Sequence, residues 1–197
     1  MSALENLKRC RVTVLEMLTD RGYTIPPDVQ SLDVLTLDAP QLAQQAYNIY
    51  LEEPRKCYVR FILLAKLRPN ALKEQIQDIH DNHLAEGEGD IILISRSQPS
   101  TTLVKIVKAT PRCQIFWMDK LLVNITKHKL VPKHELIEPC EVERILKKFS
   151  IASKNQLPVI LKEDPISQYF GYPSGAVCKV TRTSATAGEY ISYRYVK

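Results

Sequence analysis

Hydrophobic and polar residues alternate along this chain at spacings that predict helices and strands in turn. The first helix is predicted from apolar residues that share one helical side and from the break at Arg21-Gly22-Tyr23. Those apolar residues are Leu4, Leu7, Val14, Leu15 and Leu18. Residues 24–40, which include three prolines, are predicted to form a loop.

The middle of the chain predicts three buried strands separated by two helices. The strands are residues 57–65, 90–95 and 112–117, and the helices are residues 70–84 and 99–109. Strand–helix–strand units of this kind pair their strands in parallel through right-handed crossovers. We therefore expect a three-layer α/β domain with a mostly parallel sheet.

A smaller α+β region is predicted to follow. Residues 119–123 predict a short helix and residues 124–132 an extended, basic connection. Residues 139–149 predict an amphipathic helix, although its first residue is preceded by Glu138, which caps helices poorly.

The last forty residues predict a helix followed by a hairpin. Asp164 can cap the helix, Pro165 suits its first position, and Gly171 can end it in the left-handed conformation. Strand-forming residues in 176–180 and 191–196 then predict the two arms of the hairpin.

Charge divides the chain at nearly the same place as the predicted elements. The predicted elements change from α/β to α+β near residues 122–126, and we therefore expect domains of residues 1–122 and 123–197. Residues 1–119 hold 14 Lys/Arg and 15 Asp/Glu, whereas residues 120–197 hold 13 and 7. A basic half favours an acidic partner, although a solubilising surface explains the charge equally simply.

Cysteine usage and hydropathy predict a soluble, intracellular protein. The five cysteines form no C-x-x-C pair, so we expect buried, reduced thiols rather than a zinc or disulfide framework. No apolar run is long enough to cross a bilayer, and the first residues do not resemble a signal peptide.

No catalytic constellation is found in the sequence. Glycine-rich phosphate loops and the G-x-S-x-G elbow are absent. No Asp or Glu is followed two positions later by Lys, a pattern common in nucleases built on small α/β cores. His80 and His83 have the spacing of metal ligands but no further ligands nearby, so we expect surface histidines. The sequence therefore predicts no catalytic residue, metal or cofactor.

Several C-terminal segments resemble those of one protein family. They are Leu157-Pro158, Asp164-Pro165-Ile166, Tyr169-Phe170-Gly171, Ser184, Thr186-Ala187-Gly188, Tyr190-Ile191 and Tyr193-Arg194. Together they resemble subunit 5 of eukaryotic-type RNA polymerases, which polymerases I, II and III share and which has a shorter archaeal counterpart. The likeness continues through residues 122–132 and is fainter in the first helix.

This resemblance implies a non-catalytic structural subunit of a multisubunit DNA-dependent RNA polymerase. Residues 1–122 would be a jaw domain, similar in fold to nucleases, beside downstream DNA. Residues 123–197 would be an assembly domain docked on the largest subunit near small subunit 6. The implied location is the nucleus, or the replication compartment for a viral member, with no membrane partner.

The resemblance also implies a DNA-facing loop in the jaw. The family carries Thr-Pro-Ser after the middle strand, and the matching residues here are Gln98, Pro99 and Ser100, preceded by Arg96. Arg96 can meet a phosphate, a weak contact that reads no sequence. An ordinary helix start capped by Ser97 is an equally good interpretation.

Docking residues are implied for the assembly domain. They are Asp164, Pro165, Tyr169, Gly171, Arg182, Ser184, Thr186, Gly188, Tyr190, Tyr193 and Arg194. Arginines suit carboxylates or carbonyls of a partner, and tyrosines offer apolar area with a polar tip. Packing within the domain explains the tyrosines as well, and a hairpin turn explains Gly188. We expect Gly188→Val or Arg194→Glu to disrupt incorporation.

The sequence also departs from the family pattern. Where the family usually reads Arg-Pro-Ser-Glu-Thr-Ala-Gly-Arg-Tyr, this chain has Thr183, Ala185 and Glu189, and residues 28–54 look shorter and altered. These changes indicate a diverged member: a viral, protist or specialised form. Two other functions stay open, namely a free-standing adaptor that binds transcription regulators and, with less support, a metal-dependent nuclease.

Overall fold

The computed structural model describes residues 3–27, 29, 48–64, 66–84, 87–184 and 188–197. The chain divides into two compact units, Met1–Val123 and Asn124–Lys197, called the N-terminal and C-terminal units below. Most of the predicted loop at residues 24–40, and the predicted docking residue Thr186, lie outside the described residues.

The N-terminal unit begins with helix α1 (Ala3–Asp20), which buries one side as its apolar spacing predicts. Cys10, Val14 and Leu18 are fully buried on that side. Gly22 ends the helix at a φ of 88°, which lets the Tyr23 amide donate to the Leu18 carbonyl at 3.0 Å.

A four-stranded sheet forms the centre of this unit. Its strands are β1 (Ile49–Leu51), β2 (Cys57–Ile62), β3 (Asp90–Ser95) and β4 (Cys113–Trp117), in that order across the sheet. β2, β3 and β4 are parallel as predicted, which confirms an α/β arrangement. The antiparallel strand β1 was not predicted, and the strand predicted to reach residue 65 ends at Ile62.

Two helices cover one face of this sheet. They are α2 (Pro69–Asn82) and α3 (Thr101–Ala109). Leu72 and Ile79 of α2 and Leu103 of α3 share one core cluster with Tyr58 and Leu93 of the strands. Every residue of β2 is buried, so both faces of the sheet are covered.

Two predictions about helix starts were wrong. The helix expected from residue 99 begins at Thr101, with Ser100 rather than Ser97 at the N-cap. Ser97 is held outside the helix because its carbonyl accepts a hydrogen bond from the Ser95 hydroxyl, and Pro99 disfavours a helical residue before it. The short helix expected at residues 119–123 is a 3-10 turn at Met118–Leu121.

The C-terminal unit is built on a second four-stranded sheet. Its elements are β5 (Lys133–Leu136), α4 (Pro139–Lys148), β6 (Val159–Ile160), α5 (Pro165–Phe170), β7 (Val177–Ser184) and β8 (Gly188–Val196). The strand order is β5-β7-β8-β6, with β6 parallel and β5 antiparallel to their neighbours. The predicted α5 and hairpin are confirmed, whereas β5 and β6 were not predicted. The connection expected to be extended at residues 124–132 contains a 3-10 turn, Ile125–Lys127, capped by Asn124.

Each face of the second sheet packs against its own cluster. On one face, Val142 and Ile145 of α4 contact Val177 and the tyrosines Tyr193 and Tyr195. As expected, Glu138 at the start of α4 makes no side-chain capping bond. On the other face, Cys178, Val180 and Val196 pack with residues that follow α5, including Tyr172. No helix among the described residues is long and apolar enough to cross a membrane.

Candidate interaction surfaces

The three parallel strands of the N-terminal unit end level with one another. Ile62 at the end of β2 pairs with Ser95, the last residue of β3, and Ser95 pairs with Trp117 at the end of β4. The segments that follow the strands therefore leave from a single edge of the sheet. In open α/β sheets this carboxyl edge is where ligands bind.

Exposed cations follow each of these strand ends. Lys66 and Arg68 come after β2, Arg96 follows β3 directly, and Lys120 follows β4. None of the four makes a side-chain hydrogen bond or ion pair with another described residue, and all are free to meet an external anion. We call these four residues the cationic edge. Only Arg96 was predicted from the sequence. The other three could have been found there as well, because a Lys or Arg follows each of the three predicted buried strands.

The predicted DNA-proximal residues lie at this same edge. Gln98 and Ser100 are exposed and Pro99 is half-buried, in the segment between β3 and α3. The Ser100 hydroxyl forms no capping bond with α3 although Ser100 is the N-cap residue. The side chain is therefore available to an outside partner at the start of a helix, where anions are favoured.

In the C-terminal unit, Arg182 and Arg194 lie on one face of the hairpin. Arg194 is paired with Cys178 and Arg182 with Tyr190, and alternate residues of a strand point to the same face. Neither guanidinium has a hydrogen bond or ion pair with another described residue. His134 of β5, opposite Val180, lies on this face as well.

Electrostatics link His134 to the two arginines. Burial lowers the pKa of His134, and the positive charges of Arg194 and Arg182 lower it further, against the opposing effects of Pro132 and Asp164. The imidazole Nδ1 lies 2.8 Å from the Pro132 carbonyl oxygen. The face therefore presents two arginines beside a histidine that resists protonation, an arrangement that suits a carboxylate or carbonyl from a partner.

Strand β8 leaves part of its outer side unpaired. The Tyr195 amide donates to Pro158 and the Val196 amide to Ala176, so odd-numbered residues of β8 face β6 and even-numbered residues face β7. β6 pairs only with Tyr195 and Val196. Pro158 has no amide hydrogen and cannot extend this pairing.

Three residues consequently present free backbone groups on that side. Glu189, Ile191 and Tyr193 direct their N–H and C=O groups to it, and no other described residue bonds them there. Ile191 is 43% exposed and its neighbour Tyr190 is 56% exposed. We call residues 189–193 the open edge. It could not be found from the sequence, because pairing decides which strand side is free.

Several predicted docking residues have structural roles within the unit. The Asp164 carboxylate accepts from the Ile166 amide at 3.0 Å, Pro165 begins α5, and Gly171 ends it at a φ of 66°. Tyr169 is buried and its hydroxyl accepts from the Asn124 side chain at 3.0 Å. Tyr193 is half-buried, and its ring centroid lies 5.9 Å from that of Phe149.

The other predicted docking residues lie near the hairpin turn. Gly188 has a φ of 71°, a left-handed angle that side chains resist, and is exposed with open space around it. Ser184 is paired with Gly188 across the hairpin. The structure thus places Arg182, Tyr190 and Arg194 on one face of the hairpin and Tyr193 on the other, whereas Tyr169 is buried in α5.

Most of the cysteines are buried, whereas His83 is exposed and His80 is half-buried. Burial raises the pKa of Cys10, Cys57 and Cys113 to about 12, which keeps these thiols protonated. Cys140 is exposed, so the expectation of burial is wrong there. His83 stacks on Tyr58 at 4.4 Å, and His80 Nδ1 lies 3.2 Å from the Leu84 carbonyl oxygen. The described residues contain no group of three side chains able to hold a metal.

Free cations on two surfaces, together with an open strand edge, are features of a subunit that binds other macromolecules. Comparison with known proteins supports this class. Residues 123–196 match the family model for RNA polymerase Rpb5, C-terminal domain.

Full-length relatives extend the match to nearly the whole chain. The chain is 31% identical to DNA-directed RNA polymerases IV and V subunit 5B of Arabidopsis thaliana, over 94% of this chain and 87% of the relative. It is 30% identical to DNA-directed RNA polymerases I, II, and III subunit RPABC1 of Caenorhabditis elegans, over 96% and 95%. The Dictyostelium discoideum relative of the same name is 30% identical, over 98% of both chains. The chain belongs to the RNA polymerase subunit 5 (Rpb5) family, a family of non-catalytic polymerase subunits that function in transcription.

Proposed function

We propose that this protein docks on the largest subunit of a nuclear, multisubunit RNA polymerase through its C-terminal unit and holds its N-terminal unit beside downstream DNA. The open edge, flanked by Arg182 and Arg194, is the observation that carries the proposal. An unpaired strand edge on a small sheet is a template for another chain, because an added strand satisfies its backbone groups.

The arginine face adds side-chain recognition to this backbone docking. Arg182 and Arg194 are fixed on a hairpin and lack partners among the described residues, so a partner's carboxylates or carbonyls can bind both without breaking an existing ion pair. Small subunit 6 is the second proposed neighbour of this unit. The N-terminal unit then serves as the jaw, and residues 1–122 and 123–197 act as the jaw and assembly domains.

Replacing both Arg182 and Arg194 with glutamate should lower co-purification of the chain with the largest subunit at least about tenfold. The reason is that two charge-assisted contacts become repulsive, and each such contact contributes about 1.5–3 kcal/mol. Lys147→Glu is the matched control, because Lys147 is exposed on α4, at the opposite face of the same sheet. Undiminished co-purification of the double variant, with its circular dichroism unchanged, would refute docking through this face.

For the jaw, we propose that the cationic edge contacts phosphates of downstream DNA. Phosphate contacts position a protein on DNA without reading bases, which suits a subunit that must tolerate any sequence. Arg96, between Lys66 and Lys120 along the edge, is placed to make the central contact because β3 is the middle one of the three parallel strands. The interaction should be weak, non-specific and strongly dependent on salt.

Arg96→Glu should reduce photocrosslinking of downstream DNA to this chain in the assembled polymerase without reducing assembly. Losing a phosphate contact should also lower the salt dependence of DNA retention by about one unit of log–log slope. Arg112→Glu is the control, since Arg112 is exposed but precedes β4 at the opposite edge of the sheet. Equal crosslinking by both variants and the unaltered chain would contradict DNA contact at this edge.

A further inference from the structure

The face of the N-terminal unit formed by α2 and α3 contains an open groove of about 610 Å³. Its main lining residues are Lys73, Ile76 and His80 of α2, and Lys105, Ile106 and Ala109 of α3. This groove lies on the helical face of the sheet, and neither the cationic edge nor the open edge supplies its lining. Its volume is in the range of clefts that bind small-molecule ligands, about 300–1,000 Å³.

The charged side chains that line the groove are positive on both sides. Lys73 and Lys105 are exposed and have no hydrogen bond or ion pair with another described residue. No acidic residue lines the groove. None of the three acids of α2 is part of this lining: Asp78 binds Arg60 at 2.6 Å, Asp81 accepts from the lining residue Gln77 at 2.9 Å, and Glu74 is exposed beside Lys73.

The floor of the groove is apolar. Ile76 belongs to the core beneath the helices, and Ile106 is half-buried beside it. Lys73 and His80 lie seven positions apart, which corresponds to about 10 Å along a helix. The groove therefore has room for about two turns of a partner helix whose apolar side chains would rest between the lysines.

We infer that this groove binds a short, acidic, amphipathic segment of another protein. Helix-in-groove recognition combines apolar anchors with flanking charge, and the groove supplies an isoleucine floor between two unpaired lysines. Nucleic acid fits less well, because single strands bind to aromatic side chains along a continuous basic track and no Phe, Tyr or Trp lines this groove. The inference extends the proposed function, since it gives the jaw a protein-binding surface that docking and DNA contact do not use.

The test uses the full chain and a labelled helical peptide of about 15 residues, with two leucines one turn apart and glutamates on both flanks. Binding is measured by fluorescence anisotropy, and the matched peptide carries lysine in place of every glutamate. The acidic peptide should bind more tightly than the basic one. The double variant Lys73→Glu, Lys105→Glu should weaken its binding at least about tenfold.

Lys108→Glu is the control, because Lys108 is an exposed residue of α3 that does not line the groove. This variant should bind the acidic peptide like the unaltered chain. Equal affinity for the two peptides, or no change in the double variant, would overturn the inference. So would competition by duplex DNA for the groove, or a dimer in sedimentation that the double variant abolishes. Co-purification of the double variant with polymerase is measured as well. If it is normal, loss of peptide binding concerns the groove alone and leaves the proposed docking on the largest subunit unaffected.

Discussion

Ile191→Pro should remove this protein from the assembled polymerase while leaving its fold intact. Ile191 directs its amide to the unpaired side of β8 and does not use it to pair with β7. Proline deletes that amide, and its ring blocks the approach of another strand. The β7–β8 ladder keeps its own hydrogen bonds, since proline is tolerated on the free side of an edge strand.

The expected loss in co-purification with the largest subunit is at least about tenfold. One hydrogen bond left unmade in a buried interface costs about 1–3 kcal/mol, and the blocked approach removes the neighbouring bonds as well. Ile191→Thr is the matched control because threonine keeps the amide and favours strands. Equal recovery of Ile191→Pro and Ile191→Thr with the polymerase would show that no partner strand pairs at the open edge.

The charge of residue 189 influences which partner strand can pair at the open edge. Glu189 is exposed on the open edge, next to Ile191 on the same side of β8, and is one of the positions where this chain departs from the family pattern. An opposite charge facing it across a strand pair contributes about 0.2–1 kcal/mol, and a like charge opposes pairing. A partner strand adapted to this chain should therefore carry Lys or Arg opposite Glu189. Identifying the largest subunit that co-purifies with the chain supplies the sequence in which to look.

Elements with a continuous apolar run or with clear capping residues were predictable from the sequence. β3 was predicted with its observed bounds, because residues 91–94 are a continuous apolar run and all of its residues except the first are buried. The α5 helix was predictable for a local reason, since Asp164, Pro165 and Gly171 each act through the backbone beside them. Capping signals of this kind depend on neighbouring residues and not on how the rest of the chain packs.

Short strands at sheet edges were not predictable. β6 has two residues, and only its pairing with Tyr195 and Val196 makes it a strand. β5 has an exposed or half-buried residue at each of its four positions, so it shows no alternation to detect. The same limit applies to the docking residues. The sequence indicated the arginines and tyrosines, but only the pairing register of β7 and β8 shows that Tyr190 and Arg194 lie on one face and Tyr193 on the other.

Gly89→Ala should destabilise the N-terminal unit by about 1–3 kcal/mol, the cost of forcing an extra group into close-packed surroundings. A Cβ at residue 89 would lie 2.5 Å from the Lys56 carbonyl oxygen and 2.9 Å from Leu84 Cδ2. The Lys56 carbonyl cannot simply move aside, because it accepts the Asp90 amide at 2.9 Å where β2 and β3 begin. Relief of the clash therefore requires the two central strands to separate at their start.

Gly87→Asn is the matched control in the same turn. Gly87 has a φ of 81° but open space around it, and asparagine tolerates left-handed angles better than other residues with side chains. Its effect should stay below about 1 kcal/mol. Urea unfolding followed by fluorescence measures both variants, because the single tryptophan, Trp117, lies in the N-terminal unit. If Gly89→Ala unfolds at the same urea concentration as Gly87→Asn, the close approach of β3 to the Lys56 carbonyl does not constrain this fold.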